Sequence, residues 1–227
     1  GLMQIVRKKL GQSVIAALPA RDWKREEKTL VALDEEQEHL ALQLPAGRRL
    51  LRGPAGSGKT LVLVRRAEEL LKKGKGGPIL FLCYNHAFAG YLRRLLSEKG
   101  VPLGPEGVDV VPVFDLMARM LGGRLEEKAH SEYYETIADL VVEELEAGRA
   151  LPGSWSAVLV DEAQDFSAKM VQFVKLLLPQ GASLLAAMDA DQHLYENSAP
   201  DAWRDIPGIK TFTLKKRYRS TRQIMAF

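Results

Sequence analysis

Short apolar runs alternate along the chain with longer stretches in which apolar residues recur every three or four positions. Arg49–Gly53, Ile79–Tyr84, Val108–Val113, Ala157–Asp161, Ser183–Met188 and Thr211–Leu214 read as strands. Asp34–Gln43, Lys59–Lys73, His86–Glu98, Phe114–Leu121, Ser131–Ala147, Ser167–Leu178 and Thr221–Phe227 read as helices. Gly and Pro separate them at 74–78, 100–107, 151–153 and 179–181. Ser131 and Ser167 stand where helix caps are expected. Strand and helix in alternation predict an α/β fold, a mostly parallel sheet flanked by helices on both faces.

Two stretches fall outside this rhythm. Residues 1–32 hold one candidate strand, Met3–Val6, and a charged stretch around Trp23, and read as an N-terminal extension or linker. Residues 122–156 read as a short helical insertion between the third and fourth strands. Residues 33–227 then form one domain. The chain starts with Gly1 and stops at Phe227 within a helical pattern, so the expectation is a piece of something longer, with an upstream domain as one candidate neighbour.

Composition narrows the class without naming a function. In 227 residues, 46% are hydrophobic and 27% charged, which suits an ordinary globular core. The single cysteine, Cys83, excludes a disulfide framework and fits a reducing, cytoplasmic setting. The four histidines show no metal-ligand spacing, and no apolar run is long enough to cross a membrane. The net charge of +3 hides separate basic clusters at 7–9, 65–66, 72–73, 93–94 and 215–217, offset by acidic segments at 34–38 and 143–146.

The first run with specific chemistry is Gly53-Pro54-Ala55-Gly56-Ser57-Gly58-Lys59-Thr60. It has the spacing G-x-x-x-x-G-K-[ST], between a predicted strand and a predicted helix, as a phosphate-binding P-loop requires. Its glycines let backbone N–H groups turn inward, and the helix N-terminus adds partial positive charge. Lys59 would reach the β- and γ-phosphates, and Thr60 would offer its hydroxyl to Mg²⁺. The second is Ala157–Phe166, an apolar strand closed by Asp161-Glu162-Ala163-Gln164-Asp165. Asp161 at the strand end can hold Mg²⁺. Glu162, one residue on, points differently and can orient or deprotonate an attacking water.

Asp161–Asp165 resembles motif II of superfamily I helicases of the UvrD/Rep type, and further motifs of that family follow in order. Leu33–Gln37 resembles the Q-motif, whose glutamine, here Gln37, recognises adenine. Leu82–Ala87 resembles motif Ia, and Val113–Leu116 the next DNA-contacting motif. Stacking surfaces and polar donors suit a single-stranded DNA groove, which implies Tyr84, Asn85, His86 and Phe114 as DNA contacts. Met188–Tyr195 resembles motif III, with Gln192 as the γ-phosphate sensor. Leu214–Thr221 resembles motif IV, with Arg219 as a γ-phosphate contact and Tyr218 stacking on adenine.

The resemblance implies a RecA-like P-loop NTPase domain, the N-terminal motor domain of a helicase. ATP and Mg²⁺ are the implied cofactors, with single-stranded DNA and a second RecA-like domain of the same parent chain as partners. The fold reading takes as its test that the strand ending at Asp161 lies beside the strand ending at Gly53, and fails if it does not. Some positions depart from the family pattern. His86 replaces a lysine, Asp115 a histidine, and Glu196–Ala199 the segment that carries a base-stacking tryptophan, for which Trp203 could substitute only by another loop path. These departures motivate an alternative, a helicase-like module whose nucleotide state gates partner binding without translocation.

Overall fold

The computed structural model describes residues 41–42, 47–73, 78–123, 131–178, 181–189 and 199–215, with the side chains of 131 and 132 outside that set. The described strands are β1 (Arg48–Gly53), β2 (Ile79–Cys83), β3 (Val108–Pro112), β4 (Ala157–Val160), β5 (Ser183–Asp189) and β6 (Lys210–Thr213). The helices are α1 (Lys59–Lys72), α2 (His86–Glu98), α3 (Val113–Met120), α4 (Ser131–Glu146) and α5 (Ala168–Leu177). Two 3-10 segments, Ala163–Asp165 and Pro200–Asp205, complete the described elements. Helix α2 has its expected bounds, each other strand and helix differs from them by one residue at one or both ends, and the 3-10 segments had no periodic signal to mark them.

All strand pairs are parallel, in the order β3-β2-β4-β5-β1-β6. This is the α/β arrangement expected, a parallel sheet flanked by helices on both faces. Alternate residues of each central strand feed two separate cores, as the two-residue period of a strand requires. Leu50, Leu80, Leu82, Val158, Val160, Leu184 and Ala186 face the helices α3, α4 and α5. Leu51, Ile79, Phe81, Ala157, Leu159, Leu185 and Ala187 face α1 and α2. Burial on both faces explains why these strands read as nearly unbroken apolar runs.

One expectation is corrected, and with it the test set for the fold, since the sheet is parallel and covered by helices on both faces without that adjacency. The strand ending at Asp161 does not lie beside the strand ending at Gly53, because β5 runs between them and pairs with both. Gly53 is in register with Asp189, so a third strand end, also acidic, sits between the P-loop and motif II. Helix caps follow local chemistry. Ser167 caps α5 by accepting from the Met170 N–H at 3.4 Å, and Asn85 caps α2 by accepting from the Phe88 N–H at 2.9 Å. Cys83 is buried, and desolvation pushes its thiol up to about 12, so it serves as a packing residue. Among the described residues, no helix is long and apolar enough to cross a membrane.

Candidate nucleotide-binding site

Strand β1 delivers the chain into the loop 53–60 at the C-terminal edge of the sheet. Gly53 has no room for a side chain: a Cβ there would lie 2.6 Å from Ser57 Oγ and 3.0 Å from Leu214 Cβ. The Ser57 N–H closes the turn on the Pro54 carbonyl at 3.1 Å. Gly58, at φ 83°, caps α1 in the left-handed conformation that glycine adopts without strain. Helix α1 has no side-chain cap and no acidic residue in its first turn, so its terminal N–H groups are not spent on a carboxylate. Loop and helix end together form an anion-binding cradle.

The Lys59 side chain is 92% shielded and folds back over this loop. Its ammonium donates to the carbonyls of Gly53 (2.8 Å) and Pro54 (3.0 Å) and lies 3.6 Å from Asp189 Oδ2. Two neutral oxygens and one anionic oxygen therefore hold the cation at the mouth of the cradle.

Asp161 follows β4 directly and is 1% exposed. Its Oδ1 accepts from the Glu162 N–H at 2.9 Å, while Oδ2 is buried without a hydrogen-bond partner. Burial, and then the Glu162 charge, push this carboxyl up to about 7. A hydrogen-bonding contact from Thr60, the Glu162 N–H and the charge of Lys59 oppose that shift. A buried carboxylate that keeps one oxygen unpaired and also meets a threonine hydroxyl fits Mg²⁺, a hard cation that takes one or two protein oxygens plus phosphate oxygens. Among the described residues no three His, Cys, Asp or Glu side chains gather as an all-protein metal cage.

Glu162 is the one non-glycine described residue with positive φ (51°, with ψ 42°). Such a conformation costs roughly 1–3 kcal/mol and must be held by its surroundings. The 3-10 turn that follows holds it. The Asp165 N–H donates to the Glu162 carbonyl at 3.0 Å, and the buried Trp203 indole N–H donates to the Ala163 carbonyl at 2.8 Å. Glu162 Oε2 accepts from Gln164 Nε2 at 2.6 Å, and Gln164 Oε1 accepts from the Asp189 N–H at 2.9 Å. Asp165 is 8% exposed, and burial with the Glu162 charge pushes it up to about 6.

The candidate DNA-contacting residues lie at the C-terminal ends of β2 and β3. Tyr84 is half-buried, and Asn85 and His86 are exposed. Asn85 uses its side-chain oxygen as a cap, and His86 Nε2 lies 3.3 Å from Asp115 Oδ1. Phe114 departs from its expected role. It is 6% exposed and packs between Tyr84 (5.8 Å between ring centroids) and Tyr134 (4.4 Å), so its ring belongs to the core. Trp203 is fully buried against Phe166, which excludes it as a base-stacking substitute. Gln37, Gln192, Tyr218 and Arg219 lie outside the described residues.

Asp189 and Gln164 join the site without having been singled out from the sequence. Asp189 carried the same signal as Asp161, an acid closing an apolar strand. Gln164 carried only its place inside the acidic run.

A parallel sheet whose first strand feeds a P-loop, with a buried aspartate and a glutamate two strands away, defines a P-loop nucleotide-binding domain. A family model described as an AAA domain matches residues 36–198, and the chain belongs to that family. No curated protein matches the sequence. Among solved structures, the chain is similar to the Pif1 helicase from Candida albicans, at 19% identity and a TM-score of 0.49, over 83% of this chain and 40% of that one. It is also similar to an Arterivirus nonstructural protein 10 (helicase), solved with DNA, at 15% identity and a TM-score of 0.43, over 84% and 40%. Bacteroides Pif1, solved bound to single-stranded DNA, gives 17% identity and a TM-score of 0.43, over 85% and 44%. The chain thus spans about two-fifths of the length of each.

Proposed function

We propose that this domain is the nucleotide-hydrolysing half of a superfamily I helicase motor of the UvrD/Rep type, coupling ATP hydrolysis to movement on single-stranded DNA. The observation that carries this reading is the convergence of Lys59, Asp161 and Glu162 at one sheet edge, with the buried Asp161 carboxyl in contact with Thr60. The ordered run of motifs from Gln37 to Arg219 supports the helicase class.

Lys59 would exchange its loop carbonyls for phosphate oxygens. Thr60 and Asp161 would hold Mg²⁺, which when bound neutralises charge on the transferring phosphoryl group. Glu162, fixed through Oε2, would take the proton of the attacking water. Gln192 would sense the γ-phosphate, Arg219 would stabilise its developing charge, and Gln37 and Tyr218 would hold adenine. A second RecA-like domain would complete the cleft. Tyr84, Asn85 and His86 would face the DNA backbone and bases.

The test is ATP turnover by the full-length protein, with and without single-stranded DNA, beside Glu162→Gln. Strong stimulation by DNA, abolished by the variant, supports a translocating motor. Turnover indifferent to DNA across a range of salt concentrations sinks it. The second reading, a nucleotide-gated module without translocation, would then stand. The burial of Phe114 and the pairing of His86 with the acidic Asp115 favour it.

A further inference from the structure

We infer that Gln164 is a positioning residue that ties the general base Glu162 to the end of β5, and through it to the phosphate-binding Lys59. The inference rests on the hydrolytic reading of the site given above.

Gln164 is fully buried, where an amide with unmet hydrogen bonds would be costly. Its orientation is fixed by chemistry. The Asp189 backbone N–H can only donate, so the amide oxygen must face it, and the amide NH₂ must then face Glu162. The donor to Glu162 Oε2 has two consequences. It selects one rotamer of a carboxylate that stands on a strained backbone, and it leaves Oε1 as the oxygen that can accept a proton from water.

The other end of the amide reads the position of Asp189, whose carboxylate lies 3.6 Å from the Lys59 ammonium. Lys59, Asp189, Gln164 and Glu162 thus form one contiguous chain across three strand ends, from the phosphate cradle to the base. A shift of Lys59 toward bound phosphate would take one cationic neighbour from Asp189, and the Gln164 amide would carry the resulting movement to Glu162. The tie is rigid at its midpoint, because Trp203 clamps the carbonyl of Ala163, the residue before Gln164.

Gln164→Met keeps the length and removes both hydrogen bonds. In the full-length protein it is expected to lower kcat for ATP about 100-fold, the scale of a misplaced catalytic group, and to leave nucleotide affinity within about twofold. Added to Glu162→Gln it should lower kcat no further, because its effect passes through that carboxylate. In the nucleotide-free protein, hydrogen exchange at the Asp189 amide should rise at least about tenfold while the β1 amides hold their protection. Gln164→Asn, which keeps an amide too short to span both partners, gives the same readouts if the methionine variant does not fold.

Losses that multiply with Glu162→Gln, a fall in nucleotide affinity equal to the fall in kcat, or unchanged Asp189 exchange would each overturn the inference. A wild-type protein that binds ATP without turning it over would overturn the hydrolytic reading instead, and the Asp189 exchange would still report on the tie.

Discussion

The carboxylate of Asp189 lies 3.6 Å from the ammonium of Lys59, and both side chains are more than nine-tenths shielded from solvent. The pair joins the helix after β1 to the end of β5, so the P-loop lysine is part of the packed structure as well as of the site. Lys59→Ala removes the proposed phosphate ligand and also strips a buried acid of a cationic neighbour. Nucleotide binding should fall below detection, and urea denaturation should show a loss on the order of 2 kcal/mol. A variant as stable as the wild type would mean that Asp189 does not depend on this lysine.

The Asp161 carboxyl gives the nucleotide-free protein a distinctive pH dependence. Its folded value is about 7 against an ordinary 3.8, so between those two pH values the folded state holds the proton that the unfolded state has released. The stability this group contributes is greatest below the lower value, declines as pH rises toward about 7, and is lost above it. Asp165, pushed up to about 6, contributes with the same sign. Melting temperatures without nucleotide should therefore fall from about pH 5.5 to about pH 7.5, and Asp161→Asn should reduce that slope. Saturating Mg²⁺ and nucleotide should flatten it too, since ligation requires the ionised carboxylate. Equal slopes in wild type and Asp161→Asn would contradict this account.

Trp203 donates its indole N–H to the Ala163 carbonyl inside the core. Trp203→Phe keeps most of the apolar volume and leaves that carbonyl without its donor, a cost of about 1–3 kcal/mol. Because the same turn carries Glu162 and Gln164, kcat should fall in parallel with stability. Denaturant unfolding and ATP turnover measured together would check this, and full activity with reduced stability would separate the clamp from catalysis.

Tyr84 and Phe114 should answer differently to truncation. Tyr84→Ala removes a half-exposed aromatic at the proposed DNA edge and should weaken single-stranded DNA binding by about 1–3 kcal/mol. Phe114→Ala should instead cost about 3–5 kcal/mol of stability. Anisotropy with a labelled oligonucleotide and thermal unfolding would distinguish them. Unchanged DNA affinity in Tyr84→Ala would remove this edge from the proposed groove.

The phosphate cradle was legible in the sequence because its chemistry is local. Eight consecutive residues supply the turns, the N–H groups and the lysine, so spacing alone describes it. Helix α2 was legible to the residue, His86–Glu98, because a capping asparagine and a regular apolar stripe mark it. Phe114 misled because an aromatic at a strand end looks the same whether it awaits a base or packs on Tyr134. The 3-10 segment that brings Trp203 under motif II had no period to detect.

The sequence by itself determined the alternation of strands and helices, the P-loop and the acidic strand end that make this a nucleotide-binding α/β domain. Those features depend on backbone sterics, on the period of apolar residues and on short-range spacing. Only the tertiary structure decided that β5 runs between β1 and β4. That placement sets Asp189 against Lys59 and lets Gln164, bonded to Glu162, reach Asp189 across 25 residues of chain. Strand order depends on which buried faces pack best together, and a parallel crossover leaves no mark in the residues it spans.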